Sequence, residues 1–454
     1  MIDQHNQDNI TQNNDPTLIM DYPRITALQS KINVLRQRIM HKGRLWLQRK
    51  SKLKGSNPYL EGAFAAVAEV ERSDFKVDGE IPPQLNGLFL RIGPNPVGVE
   101  NPALYHWFVG DGMVHALRIE KGQAKNFKSR FIATDAVQDY KQQPLKDGFR
   151  RGPSSVVNTN IIYHAGKIWA LIEAGTFPAR LDLELNTETH QFFYTDADLP
   201  FTAHPHKDNQ TGYLHAICYD AFDPRHAYYQ VLDQDGYLIH LVKIPVEHGP
   251  MIHECALTAT DVLIFDFPVT FSVSQVLKGS ALPYVWNAQH QARIGILPKF
   301  GQADEVQWIN VDPCFVFHTA NAYRDEQNNI IVDLIVHQQM FKQSQQGPFE
   351  QQKVQLERWC IDLIAASIQR TVIDAQAQEF PRIDERYSSA AHRYIYTVSF
   401  DEKQLTAANQ LRCHDVVEQR LTTYSYGEAW ISGEVIFIAE SVHSTEGVGY
   451  LISY

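Results

Sequence analysis

Cysteine is scarce in this sequence of 454 residues, and the few cysteines form no motif. There are five of them, widely separated and without a Cys-x-x-Cys pair. An odd number of isolated cysteines argues against a disulfide framework and a zinc-thiolate site, and it is typical of proteins from a reducing compartment.

Long apolar runs and a basic excess are also missing. No run approaches the roughly 20 apolar residues that span a bilayer, and no N-terminal segment has the apolar centre of a signal peptide. The net charge of -11 argues against nucleic acid as a partner, because phosphate binding needs a basic face. These absences predict a cytoplasmic protein without a nucleic-acid partner.

The motifs of several enzyme classes are absent as well. There is no Gly-x-Ser-x-Gly nucleophile turn and no Gly-x-x-x-x-Gly-Lys-Ser/Thr phosphate loop. His253-Glu254 lacks the second histidine of the His-Glu-x-x-His zinc-protease motif. These gaps disfavour hydrolase, nucleotide-dependent and zinc-protease functions.

The N-terminal region divides into two parts. Residues 1–23 are rich in Asn, Gln and Asp with almost nothing to bury, so we expect a disordered polar tail. Residues 24–54 contain ten Lys or Arg and no acid, and they form most of a basic segment that we predict to be an amphipathic helix over 24–56. The four aspartates before this segment argue against a transit peptide.

The predicted helix has an apolar stripe with spacings of three and four residues, formed by Ile25, Leu28, Ile32, Leu35 and Ile39. Gly43 is expected to interrupt the pattern, and a tryptophan follows at position 46. Two interpretations remain open. The segment is either a peripheral membrane anchor or a helix that packs its stripe on the main domain.

From about residue 57 onward, short segments rich in branched and aromatic residues alternate with turn residues. Such a pattern is typical of an all-β sandwich, barrel or propeller. Although 44% of the residues are hydrophobic, enough for a large core, no repeat is strong enough to count blades.

Three of the nineteen histidines stand out: His204 in Phe-Thr-Ala-His-Pro-His, His253 in Met-Ile-His-Glu-Cys, and His318 in Phe-Val-Phe-His-Thr-Ala-Asn. They are 49 and 65 residues apart, too far for one metal loop but close to the step between propeller blades, roughly 40 to 50 residues. Histidines on successive inner strands would converge on the axis. The alternative for each is a hydrogen-bonded core or turn histidine.

A rival metal site starts from the same segment. His206 and Asp208 form a His-x-Asp pattern, which with His253 could build the facial triad of two histidines and one carboxylate found in ferrous oxygenases. A pattern of three residues arises often by chance.

Several longer motifs resemble one family, the carotenoid cleavage oxygenases, which also includes the retinal pigment epithelium isomerase and the stilbene-cleaving enzymes. These motifs are Asn-Pro-Tyr-Leu-Glu-Gly at 57–62, Gly-Leu-Phe-Leu-Arg-Ile-Gly-Pro-Asn-Pro at 87–96 and His-Trp-Phe-Val-Gly-Asp-Gly-Met at 106–113. With the three histidine segments they run in the family's order over residues 57–454.

The resemblance implies an all-β fold, a seven-bladed β-propeller with a helical or loop cap over residues 57–454. It also implies one Fe2+ per chain, held on the axis by four histidines, three of which match His204, His253 and His318. His106 and His115 would be structural, and His206 would only neighbour a ligand.

The resemblance further implies three glutamates that hydrogen-bond to the ligand imidazoles, and the matching positions are Glu173, Glu379 and Glu434. Such carboxylates fix the tautomer and angle of an imidazole and make it a better donor to the metal. The alternative for each glutamate is a surface or structural ion pair.

The family's fourth histidine has no counterpart in this sequence. We expect the last blade to be incomplete and hypothesise a truncated form of a four-histidine enzyme; His443 is the nearest substitute, in a predicted loop. If the three histidines do not suffice, the alternative function is an inactive propeller that binds an apolar ligand.

The expected activity is oxidative cleavage by dioxygen of a conjugated double bond held in an apolar tunnel. Stilbene cleavers usually carry Lys immediately before the glutamate that matches Glu173, whereas this chain has Ile172. The sequence therefore favours a carotenoid or apocarotenoid over a stilbene-like substrate.

Overall fold

The computed structural model describes residues 21–342, 346–348, 353–401, 404–427 and 430–454. Most of the predicted polar tail at 1–23, namely positions 1–20, lies outside the described residues. The helices are Ala27–Lys50, Asp135–Lys141 and Val273–Leu277, with short 3-10 turns at Pro58–Leu60, Gly62–Phe64, Pro102–Leu104, Trp107–Val109, Ala303–Glu305 and Glu385–Tyr387.

Six four-stranded antiparallel sheets contain most of the strands in the described chain, and we number these sheets as blades in chain order. Blade 1 contains Glu71–Arg72, Gly87–Pro94, Gly112–Glu120 and Gln123–Phe131; blade 2 contains Asn160–His164, Lys167–Leu171, Ala179–Leu181 and Thr187–His190; blade 3 contains His206–Lys207, Leu214–Tyr219, His226–Leu232 and Leu238–Pro245. Blade 4 contains Cys255–Leu257, Asp261–Asp266, Arg293–Pro298 and Gln307–Asn310; blade 5 contains Thr319–Arg324, Ile330–His337, Val354–Asp362 and Ser367–Asp374; blade 6 contains Gln378–Arg382, Tyr394–Asp401, Gln404–Asp415 and Arg420–Ser425.

The strands of blades 2 to 6 follow one another across each sheet, so the first strand always lies at one edge. The first strands of blades 3 to 6 contact those of their neighbours, which places them around a common axis. Tight turns join the strands. Between the last two strands of blade 3, the Asp233 carboxylate accepts from the backbone N–H groups of Asp235 and Tyr237, while Gly236 takes a positive φ of 82°.

The prediction of an all-β propeller is confirmed, but the prediction of seven blades is wrong. The described residues after blade 6 form only a two-stranded sheet, Ile436–Ala439 with Gly449–Ile452. The short strand Glu71–Arg72 pairs within blade 1 and does not extend this last sheet. Tyr454 joins the last sheet to blade 1, because its hydroxyl donates to the Phe89 carbonyl at 2.9 Å and the two rings stack at 4.6 Å.

The core consists mainly of branched and aromatic side chains between blades. Its largest cluster joins blades 3, 4 and 5 and includes Ile264, Phe267, Val332 and Trp359, all fully buried. Close packing of this kind fixes neighbouring blades relative to one another, and with them the residues that precede each first strand.

The N-terminal helix runs without a break through Gly43, so the interruption of the apolar pattern there does not end the helix. Thr26 caps it by accepting from the backbone N–H of Gln29 at 3.1 Å. The face towards the propeller is polar: the Asn33 amide donates to the Arg150 carbonyl at 2.7 Å, and the Gln37 amide donates to that of Arg151 at 2.8 Å.

The predicted apolar stripe divides into a buried start and an exposed remainder. Ile25 is buried, but Leu28, Ile32, Leu35 and Ile39 are 51 to 69% exposed. The stripe therefore does not pack on the main domain, which contradicts one of the two interpretations. None of the helices among the described residues has the length and apolar character needed to cross a bilayer.

Candidate metal centre

The structure brings three of the predicted histidines together. Potential ligand atoms of His204, His253 and His318 all lie within 4.8 Å of one another, and the ring centroids are 4.6 to 5.1 Å apart. Each histidine lies one or two residues before the first strand of its blade, in blades 3, 4 and 5. The three side chains meet because these first strands lie side by side.

Two glutamates orient two of the rings. The His253 Nδ1 bonds to Glu173 at 2.8 Å, and the His318 Nδ1 bonds to Glu379 at 2.9 Å. A carboxylate can only accept, so both rings carry a proton on Nδ1 and direct Nε2 into the cluster. The two Nε2 atoms are 3.3 Å apart.

This arrangement fits a bound cation. Two neutral imidazoles that face each other through Nε2 repel unless a proton or a metal ion lies between them. In addition, the His204 Nε2 is buried and has no hydrogen-bond partner in the part of the chain that the structure describes. Neutral imidazole nitrogens suit a divalent transition metal such as iron, and each of the three rings places one such nitrogen within 4.8 Å of the others.

The pKa values of the three rings differ because their surroundings differ. Burial, together with the neighbouring His253 and His318, keeps the pKa of His204 well below its usual value. Burial would also lower the pKa of His318, but the carboxylate of Glu379 beside it raises that pKa to about 9. When no metal is bound, the His318 ring is therefore protonated on both nitrogens at neutral pH.

Glu379 has a second imidazole partner that the sequence did not suggest. Its Oε1 bonds to His337 Nε2 at 2.6 Å, while Oε2 also accepts from the backbone N–H of Phe380 at 2.8 Å. Burial opposes ionisation of Glu379, but the neighbouring His318 and His337 rings keep the pKa of this carboxyl well below its usual value. No local signal marks His337, which lies at the end of a regular strand in blade 5.

The backbone is left-handed immediately after both orienting glutamates. Ala174, which follows Glu173, has a φ of 50°, and Phe380, which follows Glu379, has a φ of 57°. Neither residue type favours this region, so the surrounding structure must enforce it. Both strained positions lie next to a carboxylate that orients an imidazole.

The remaining predicted residues are not part of the three-histidine cluster. Glu434 forms no hydrogen bond with the three rings in the described part of the chain; its carboxylate accepts from Arg382 Nε at 2.5 Å. The Asp208 carboxylate pairs with Lys299 Nζ at 2.8 Å and does not join the cluster, so the rival facial triad does not form. His443 is exposed in a loop.

Three other histidines from the sequence motifs also lie outside the cluster, namely His106, His115 and His206. His106 is buried and its Nδ1 accepts from the backbone N–H of Phe108 at 3.1 Å. His115 lies in a strand of blade 1, and His206 bonds to Glu254 at 2.7 Å.

Aromatic side chains border the three imidazoles. The Phe317 ring lies edge-on to His253, with centroids 5.1 Å apart, and the Phe380 ring lies 5.5 Å from His318. Phe317 also packs against Phe108 and Phe341 at 5.7 and 6.2 Å. Apolar rings thus lie beside two of the three imidazoles, an environment that suits a substrate without charge.

Known proteins are similar to this chain in sequence and in fold. The family model described as retinal pigment epithelial membrane protein matches residues 64–454. A carotenoid cleavage oxygenase of Mycobacterium tuberculosis is 34% identical over 450 aligned positions, covering 88% of this chain and 89% of that protein. An isoeugenol monooxygenase of Pseudomonas putida is 30% identical, with 88% of this chain and 89% of that protein covered. The crystal structure of Pseudomonas brassicacearum lignostilbene dioxygenase superimposes with a TM-score of 0.77 at 25% identity, covering 89% of this chain and 91% of that one.

The fold and these relatives define an oxygenase, an oxidoreductase that incorporates dioxygen and cleaves its substrate oxidatively. More narrowly, the chain belongs to the retinal pigment epithelial membrane protein family, which includes the carotenoid cleavage oxygenases. The family and the enzyme class predicted from the sequence motifs are both confirmed.

Proposed function

We propose that this chain binds one Fe2+ through His204, His253 and His318 and cleaves a conjugated double bond of a carotenoid or apocarotenoid with dioxygen. The observation that carries the proposal is the convergence of three imidazoles, two of them with Nε2 directed inwards by carboxylates. Glu173 and Glu379 hold the tautomer and the ring angle that a metal needs. Glu434 is left out of this set because its carboxylate pairs with Arg382.

Bound ferrous iron supplies the reactivity with dioxygen that amino-acid side chains lack. In the overall reaction the carbon–carbon double bond breaks and each carbon receives one oxygen atom of O2, so two carbonyl groups form without a further reductant. No side chain has to donate or remove a proton. The protein contributes position: the imidazoles meet at one point, and the rings of Phe317 and Phe380 provide the apolar surface beside it.

The residues beside the cluster favour a carotenoid or apocarotenoid as the substrate. Ile172 precedes Glu173 and is partly buried in an apolar cluster, so this position offers no cation to a phenolic oxygen. The aromatic surface beside the cluster suits an extended hydrocarbon. A stilbene or a related phenolic alkene is the second candidate, because the lignostilbene dioxygenase and the isoeugenol monooxygenase are both similar to this chain.

Incubation of iron-loaded protein with a carotenoid, an apocarotenoid and a 4-hydroxystilbene separates the two candidates. We expect aldehydes from the polyenes, identified by mass spectrometry, and we expect Ile172→Lys to shift the products towards the stilbene. Cleavage of the stilbene alone would reject the carotenoid proposal. Metal-free protein that still binds retinoid-like ligands would favour an inactive binding protein.

A peripheral membrane contact through residues 24–54 is also part of the proposal. Support comes from the outward apolar stripe of the N-terminal helix, where Trp46 is 59% exposed, and from the ten basic and no acidic residues of this segment. The side chain of Leu47 lies against Gly279, just after the short helix Val273–Leu277, where two further apolar side chains, Val273 and Leu277, are exposed. Apolar side chains with flanking cations match the interface of an anionic bilayer.

Sedimentation with lipid vesicles tests the membrane contact. We expect the protein to bind vesicles that contain anionic lipid and to dissociate in part when salt is added, because screening weakens the electrostatic attraction. Absence of binding to anionic vesicles at low salt would reject this part of the proposal, and it would leave the proposed chemistry untouched.

A further inference from the structure

A buried carboxylate, Glu254, lies between the three segments that carry the candidate ligands. Its side chain is 8% exposed. Oε1 accepts from His206 Nε2 at 2.7 Å and from the Thr319 hydroxyl at 3.1 Å, while Oε2 accepts from the Thr319 backbone N–H at 3.1 Å. Both oxygens are thus used, and the donors come from two other blades.

Glu254 and its donors are close in sequence to the three candidate ligands. Glu254 directly follows His253, Thr319 directly follows His318, and His206 comes two residues after His204. The backbone also pairs at this point, since His204 and Glu254 form a parallel bridge. A single carboxylate therefore contacts the segments of all three candidate ligands.

No covalent link fixes the distances between these segments, which are 49 and 65 residues apart. Glu173 and Glu379 orient individual rings, but neither connects one candidate ligand segment to another. Metal geometry tolerates little change in distance, because coordination bonds vary by only about 0.2 Å. Packing between the blades brings these segments close together, and the Glu254 carboxylate adds hydrogen bonds that link them directly.

We propose that Glu254 is a positioning residue that sets the separation of the His204, His253 and His318 segments for the metal ion. This inference rests on the proposed metal site and adds to it a carboxylate that links three blades. A buried carboxylate is costly unless its hydrogen bonds are complete, and the hydrogen bonds to His206 and Thr319 offset that cost.

Three substitutions test the role. Glu254→Gln leaves one acceptor oxygen in place of two and directs an NH2 group at a donor. Thr319→Val removes the hydroxyl while keeping the shape and the backbone N–H, and Thr319→Ser keeps both donors. The matched control is Asp261→Asn, because Asp261 is a buried carboxylate that also joins blades 4 and 5, through Arg324 at 2.8 Å, but makes no contact with the cluster.

The first measurement is titration of the metal-free full chain with Co2+, followed by absorbance, together with thermal unfolding of each protein. We expect Glu254→Gln to weaken Co2+ binding by about 10-fold or more and Thr319→Val by several-fold, with Thr319→Ser close to wild type. Asp261→Asn should lower the unfolding temperature without weakening Co2+ binding. Wild-type affinity in Glu254→Gln, or an equal loss in Asp261→Asn, would overturn the role.

The second measurement needs no metal and separates this role from the proposed function. Hydrogen exchange of the metal-free protein should be faster in Glu254→Gln across residues 202–206, 251–255 and 317–320 at once. If wild type binds no metal, the proposed function fails while this experiment still decides the role of Glu254. Unchanged exchange in these three segments would overturn it.

Discussion

The imidazole cluster and the outer face of the N-terminal helix contrast in a way that points to function. At the cluster, ionisable side chains such as Glu254 and Glu379 are buried, yet each has two or more hydrogen-bond partners. On the helix, apolar side chains such as Leu28 and Ile39 are 69% and 61% exposed. Both regions reverse the usual partition of polar and apolar groups, and such reversals are the informative positions in a globular protein.

The two reversals differ in how they are compensated. The buried carboxylates are satisfied within the protein, so the cluster needs only a cation to complete it. The exposed stripe has no partner among the described residues, and the proposed membrane contact would cover it. Removing a hydrogen bond at the cluster should therefore affect metal binding, whereas adding a charge to the stripe should affect only association.

The largest effect is expected at the carboxylate that serves two imidazoles. In the wild type, the two oxygens of Glu379 accept from His318 and His337, one each. Glu379→Gln replaces one of these oxygens with an NH2 group, so one of the two imidazoles loses its acceptor. We expect metal affinity to fall by about 10 to 100-fold, measured by Co2+ titration. The matched control, Glu385→Gln, changes an exposed carboxylate on the next turn and should bind like wild type; equal affinity in the two variants would contradict the orienting role.

Metal binding should also depend on pH through His318. Its pKa is raised to about 9, so this ring carries an extra proton at neutral pH that must leave before Nε2 can bind a metal. Apparent Co2+ affinity should rise by up to about 10-fold per pH unit from this ring alone between pH 6 and 8. The proton's own contribution to the stability of the metal-free protein runs the other way: it is complete below the ordinary pKa and is lost as pH rises through about 9. A flat profile of affinity against pH would contradict this assignment.

A charge on the helix stripe should weaken association with vesicles. Leu35→Glu places a carboxylate where an apolar side chain would enter the interface, and we expect about 10-fold weaker binding to anionic vesicles. Ile364→Glu is the control, since Ile364 is fully exposed and lies in a turn of blade 5, far from the helix in sequence. Co2+ affinity should be unchanged in both variants, and equal loss of vesicle binding in both would show that charge alone is responsible.

An effect on stability alone is expected on the polar face of the same helix. Asn33→Ala removes the hydrogen bond to the Arg150 carbonyl and leaves that carbonyl unpaired, at a cost of about 1 to 3 kcal/mol in the free energy of unfolding. Urea denaturation measures the change, with Gln29→Ala on the exposed face as the control. If Asn33→Ala and Gln29→Ala unfold alike, the polar face does not fix the helix on the propeller.

Sequence motifs predicted the family, the all-β class and the three histidines that meet. Periodicity also predicted the helix, but it could not show which face packs inwards: Asn33 and Gln37 face the propeller because backbone carbonyls of residues 150–152 meet them there. That contact depends on tertiary structure. The count of seven blades failed for a related reason, since strand pairing after blade 6 involves only two strands among the described residues.

Other features of the cluster had no local signal at all. Glu254 stands beside His253 in the sequence, yet its value as a link depends on Thr319, 65 residues further on. The left-handed backbone at Ala174 and Phe380 likewise contradicts what those residue types prefer. Such features arise from contacts between blades, which a single sequence does not display.

In the proposed site, His204, His253 and His318 together hold one Fe2+. The most direct test is the iron content of anaerobically reconstituted protein, combined with X-ray absorption at the iron edge, for wild type, His253→Ala and the exposed-loop control His443→Ala. We predict one iron per chain with imidazole nitrogen in its coordination sphere in wild type and His443→Ala, and little or none in His253→Ala. Iron retained at wild-type stoichiometry in His253→Ala, with an unchanged spectrum, would show that His253 is not a ligand of the iron.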